Sequence, residues 1–137
     1  MKPTLLLLLS LLLSAMTSLA SVADAPRITP TEAAQRVADG KAVLVDVREP
    51  EEWAESGVAA PAELLPMSDF NGEQKLWKPF LEKHAGKEII LYCRSGNRSG
   101  RVAQKLAEQK LSVANAGAFK DWQSANLPVR KIDASSP

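Results

Sequence analysis

An α/β fold built on a mostly parallel sheet is what this sequence predicts, and three observations predict it. Two apolar, β-branched runs, "AVLVDV" and "KEIILYC", have the unbroken hydrophobicity of strands covered on both faces. These runs alternate with segments whose apolar residues recur at helical spacing. No internal repeat or long linker divides the 137 residues, which suits one domain.

The elements follow in chain order. "TPTEAAQRVADG" predicts a helix capped by Thr29 or Thr31, with Pro30 in its first turn and Gly40 at its stop. "AVLVDV" is the first buried strand. The acidic "REPEEWAESG" predicts a short helical turn with Trp53 packed inward. "VAAPAELLPM" predicts a short strand near Leu64–Leu65, closed by Pro66. In "NGEQKLWKPFLEKHAG", Leu76, Trp77, Phe80 and Leu81 share a helical face, and Pro79 sets a kink or boundary. "KEIILYC" is the second strand. "SGRVAQKLAEQK" then predicts an amphipathic helix from about Ser99, with Val102, Ala103 and Leu106 inward. "LSVANAG" is a third short strand, "AFKDWQSANLPVRK" a terminal helix and tail, and "IDASSP" a frayed end.

Residues 1–20 read as a secretory signal peptide and 21–137 as the domain. Lys2 precedes an apolar run from Leu5 to Leu13, and small residues follow. A membrane-spanning helix needs ~20 apolar residues, so run length opposes the competing reading of an uncleaved anchor. Ser18 and Ala20 occupy the small-residue positions of a cut after Ala20. A cut after Ala25 ranks second, because Pro26 would follow it. Losing Lys2 brings the 17 basic residues level with the 16 acidic ones. That balance argues against a nucleic-acid binder or a membrane-surface domain, and no stable membrane insertion is expected after cleavage. Any positive potential is local, which singles out Arg94, Arg98 and Arg101.

The chain has one cysteine, Cys93. An exported domain with a single thiol has no internal disulfide to make, so Cys93 is a buried filler, an intermolecular partner or a reactive group. On its own the end of "IILY" favours core. The next residues favour reactivity. "RSGNRSG" carries no apolar side chain, and Gly96 and Asn97 tolerate unusual backbone geometry. The segment runs into a helix N-terminus, so successive N–H groups can curl around one point. Arg94 and Arg98 add charge. Such surroundings lower a thiol from its ordinary ~8.5 and expose the thiolate as nucleophile. In open parallel sheets, ligands bind beyond the carboxyl ends of the strands, where Cys93 lies.

"YCRSGNRS" resembles the active-site loop of the rhodanese family, single-domain sulfurtransferases and their relatives. "VLVDVREPEEWAESGV" resembles that family's second-strand segment and "DWQSANLPV" its usual ending. The resemblance spans about residues 27–129. It implies a rhodanese-like fold, a central, mostly parallel sheet flanked by helices. With the signal peptide, the chain resembles the small periplasmic rhodaneses of bacteria, which implies a periplasmic location. The Cys-x-x-x-x-Arg spacing from Cys93 to Arg98 is one residue shorter than in the tyrosine and dual-specificity phosphatases. A smaller cradle suits a sulfur atom on the cysteine better than a phosphate.

The implied chemistry is a double displacement through a Cys93 persulfide. A small anionic donor such as thiosulfate gives its outer sulfur, and cyanide or a thiol accepts it, a thioredoxin-like protein being a candidate acceptor. The N–H groups of Arg94, Ser95, Gly96, Asn97, Arg98 and Ser99 would bind the persulfide, with Arg94 and Arg98 orienting the donor. No metal or organic cofactor is required. The residues matching Asp46 and Arg48 brace the site wall in the family. A strand-end ion pair is the plainer account of them. Ser95 and Ser99 either donate to a bound anion or cap the helix. His84 is expected at a helix end on the surface, and Trp53, Trp77 and Trp122 in the core. The family often has Gly-His-Ile where this chain has "SGVAAP", and Gly-Gly where it has "NAGAF". A persulfide-holding or anion-holding module without fast turnover, and a small phosphatase or arsenate reductase, are the competing functions.

Overall fold

Residues 25–133 are described by the computed structural model; the signal peptide and cleavage point expected from the sequence, and the last four residues, lie outside them. The elements run α1 (Pro30–Ala38), β1 (Ala42–Asp46), α2 (Pro50–Ser56), β2 (Val58–Ala59), β3 (Glu63–Leu64) and α3 (Met67–Asn71). They continue with α4 (Trp77–Lys83), β4 (Glu88–Cys93), α5 (Asn97–Glu108), β5 (Val113–Ala118), α6 (Phe119–Ser124) and β6 (Val129–Arg130).

The main sheet has the order β3-β1-β4-β5, and every neighbouring pair is parallel. Strand side chains alternate between two packed layers, which is why "AVLVD" and "EIILYC" carry no polar face. Val43, Val45, Ile89 and Leu91 pack against Phe70, Trp77, Phe80, Val102 and Leu106 from α3, α4 and α5. Leu44, Ile90, Tyr92 and Ala114 pack against Ala33, Phe119 and Trp122 from α1 and α6. The class expected from the sequence is the class found. Cys93 ends β4, at the carboxyl edge of the sheet.

Thr29 caps α1, its hydroxyl accepting the Glu32 N–H at 3.1 Å. Pro79 falls in the first turn of α4, where its missing N–H costs no helical bond, so it bends nothing. The start of α4 is fixed instead by Asp69, whose carboxylate accepts the N–H groups of Lys75, Leu76 and Trp77 at 2.9–3.1 Å. That turn leaves Leu76 half exposed, against the inward position expected for it. α5 begins at Asn97, two residues earlier than expected, because Gly96 takes the left-handed cap conformation at φ +92°. Three short elements escaped the sequence reading. β2 and β6 pair antiparallel over two residues each, and α3 has five residues, all too short for a periodic signal.

Candidate active site

The loop after β4 wraps the Cys93 sulfur. The Gly96 N–H donates to Sγ at 3.0 Å, and the Ser99 hydroxyl lies 3.4 Å away. Cys93 is fully buried, which pushes its thiol up. The Ser99 hydroxyl and the N–H groups of Ser99, Ser95 and Gly96 outweigh that and hold it below its ordinary value. Gly96 is required here. A Cβ would come within 2.9 Å of Arg27 Nη1 and 3.2 Å of the Gly117 Cα, on a backbone no other residue adopts easily. The arrangement stabilises negative charge on one sulfur atom.

An open groove of about 620 Å³ lies beside the loop. Glu52, Glu55 and Ser56 of α2 form one wall, Phe119, Lys120 and Gln123 of α6 another, and Arg94 and Ser95 belong to the loop itself. Arg48 also reaches it. Asp46 and Arg48 form a sealed pair, with Nη2 to Oδ2 at 2.8 Å and Nε to both carboxylate oxygens at 3.1 Å. The same guanidinium donates to Ser56 Oγ at 2.7 Å and the Gly57 carbonyl at 2.8 Å, and lies 4.5 Å from the Phe119 ring centre. It therefore ties β1 to the end of α2 and to the groove wall. Beside it, burial and then the Asp46 carboxylate push the Tyr92 phenol up. The phenol oxygen accepts the Ala59 N–H at 2.9 Å.

Arg98 differs from expectation. Its fork is engaged by Glu52, Nη1 to Oε2 and Nη2 to Oε1 both at 2.7 Å, and Arg98 does not line the groove. The pairing holds the Glu52 carboxyl down at about 2. Arg98 and Glu52 lie 46 residues apart, so nothing in the sequence shows that they meet. Arg94 and Ser95 do face the groove, and Asn97 caps its N–H on Ser95 Oγ at 3.3 Å. Lys120 on the groove wall carried no signal in the sequence. Nor did Asn115, whose amide joins Ser99, Gly96 and Gly117. His84 ends α4 as expected, but it is mostly covered, its ring tilted at 51° against Phe80 and 3.0 Å from Glu63.

Residues 29–125 match the Rhodanese-like domain family. The chain belongs to that family. Among its relatives, an uncharacterized protein of Synechocystis is 36% identical over 91 residues, 65% of this chain and 47% of its own length. This chain thus spans about half of that relative. A putative sulfurtransferase of Bacillus subtilis is 36% identical over 92 residues, covering 66% of this chain and 82% of that one. The thiosulfate:glutathione sulfurtransferase of Saccharomyces cerevisiae is 38% identical over 98 residues, 63% of this chain and 68% of the relative. A rhodanese-related protein from Thermoplasma volcanium shares the fold, with a TM-score of 0.63 at 24% identity over 77% of this chain and 97% of that one. The family match and the two relatives named as sulfurtransferases support a sulfurtransferase-type function.

Proposed function

We propose that this rhodanese-like protein is an exported thiosulfate sulfurtransferase that carries sulfur as a persulfide on Cys93. The observation that carries the reading is the donor shell on Sγ, the Gly96 N–H at 3.0 Å with Ser99 beside it, around the chain's one thiol. The Cys93 thiolate attacks the outer sulfur of thiosulfate. The S–S bond of the donor breaks, and sulfite leaves with its electron pair. Cyanide or a thiolate then attacks the outer sulfur of the persulfide, and the Cys93 thiolate leaves in turn. Loop N–H groups hold the charge that moves between the two sulfurs. Arg94, on the groove, meets the anionic donor, with Lys120 opposite it; Arg98 acts through Glu52. That engagement also opposes a phosphatase, which would need the Arg98 fork free for phosphate.

A second reading, a persulfide carrier, is favoured by one fact: the Cys93 sulfur is sealed beneath the loop surface. Treatment with thiosulfate should add one sulfur to the protein by intact mass, lost on cyanide addition and absent in Cys93→Ser. A wild type without the adduct defeats both readings. An adduct that forms and discharges once, with no steady-state thiocyanate, leaves the carrier. Export from the leucine-rich leader predicts a periplasmic product beginning at Ser21, and a secreted mass that retains residues 1–20 would rule out that cut.

A further inference from the structure

Asn115 has no place in the transfer chemistry, yet its whole amide is committed beneath the Cys93 loop. Nδ2 donates to the Gly96 carbonyl at 3.0 Å, while Oδ1 accepts the Gly117 N–H at 3.0 Å. The side chain is buried. It fits there because Gly100 has no Cβ, which would stand 3.2 Å from Nδ2. The pairing of β4 with β5 skips Ala116 just beyond it, so that Leu91 faces Asn115 and Tyr92 faces Gly117.

These bonds fix the orientation of the amide. A carbonyl only accepts and an N–H only donates, so Oδ1 has no proton to offer. Ser99 Oγ lies 2.8 Å from that oxygen and 3.4 Å from the Cys93 sulfur. A hydroxyl has one proton. While Cys93 is a thiol, the Ser99 proton belongs on Asn115, and a Ser99 lone pair receives the S–H. When the sulfur becomes an anion, that arrangement would set a lone pair against it. The proton must then turn from Oδ1 onto Sγ, leaving Oδ1 with Gly117 alone. The two acceptors compete for a single donor.

We propose that Asn115 is a positioning residue that decides where the Ser99 hydroxyl proton points, and so tunes how readily the loop accepts negative charge on the Cys93 sulfur. The inference concerns the resting thiol, and it stands whether or not the protein transfers sulfur. The other charges around the sulfur stay constant in its test: Arg94 and Arg98 on the loop and α5, Glu52 on α2, Asp46 and Arg48 after β1, and Arg27 over Gly96 and Gly117.

The thiol is titrated in the mature protein by thiolate ultraviolet absorbance and by the pH dependence of alkylation with iodoacetamide. Asn115→Leu keeps the branched outline and removes the competing acceptor. It should raise the thiolate fraction below the midpoint by about three- to tenfold, a downward shift of up to ~1 pH unit. In a Ser99→Ala background the same substitution should not move the titration. No shift, an upward shift, or an equal downward shift without Ser99 would overturn the proposal and leave Asn115 as a loop brace. Should Asn115→Leu fail to fold, Asn115→Asp serves, because a carboxylate keeps hold of the Ser99 proton. It should move the titration up by ~1 unit or more with Ser99 present, and by half of that or less in Ser99→Ala. Equal upward shifts in both backgrounds would again overturn it.

Discussion

Two carboxylate–guanidinium forks flank the Cys93 loop, and they are built differently. Asp46 and Arg48 are two residues apart in sequence and sealed, their side chains 0% and 4% exposed. Glu52 and Arg98 are 46 residues apart and a quarter to a third open, at 24% and 30%. The sealed fork joins β1 to the end of α2 and to Phe119. The open one joins α2 to the first turn of α5, and therefore to the loop that holds the sulfur. Burial makes the first pair intolerant of losing one member, since the survivor keeps its charge away from water. Solvent relieves the second pair of that penalty. The contrast assigns the sealed fork to the fold and the open fork to loop placement.

The largest expected effect breaks the sealed fork. Arg48→Ala leaves the Asp46 carboxylate buried without its partner, which costs about 3–5 kcal/mol. For a domain of this size that lowers Tm by more than ~10 °C. Thermal unfolding followed by circular dichroism measures it. A drop of only a degree or two would show that water reaches Asp46, and the contrast between the forks would fail.

The next effect belongs to the open fork and is read in activity. Glu52→Gln and Arg98→Lys each lose the two-bond geometry while the chain still folds. Each should lower kcat/KM for thiosulfate by about tenfold, equivalent to ~1.4 kcal/mol. The double variant should be little worse than either single one, because both remove the same contact. Additive losses would mean that Arg98 also grips the donor, as its spacing from Cys93 suggested. Arg101→Lys, on the outer face of α5, should match the wild type in both rate and Tm.

Much of this arrangement was legible in the sequence, and the reasons are physical. Strands buried on both faces have no polar alternation to hide, so "AVLVDV" and "KEIILYC" announced the sheet. The cradle was legible because glycine, serine and a helix start all follow one thiol directly. What stayed hidden depends on partners distant in sequence. Arg98 could have met a donor or a carboxylate, and nothing local distinguishes the two. Asn115 lies in an apolar strand, where an amide signals only that something must satisfy it. β2 and β6 make their hydrogen bonds with each other, so neither has a pattern of its own.

The smallest expected effect separates the forks by acid. The folded-state value of Glu52 is lowered from 4.5 to about 2, first by Arg98. For a carboxylate shifted downward, the added stability is present above the unfolded value and lost as pH falls through the folded one. The contribution of the open fork is therefore whole above about pH 4.5 and gone near pH 2. The full shift would correspond to ~3 kcal/mol. Partial exposure and salt screening reduce that to about 1 kcal/mol. Unfolding of the wild type and of Glu52→Gln should thus differ by about 1 kcal/mol at neutral pH and converge as pH falls toward 2. Raising the salt concentration should narrow the neutral gap, since solvent reaches this pair. A gap that persists unchanged at acid pH would assign the Glu52 effect to packing, and the open fork would then be as structural as the sealed one.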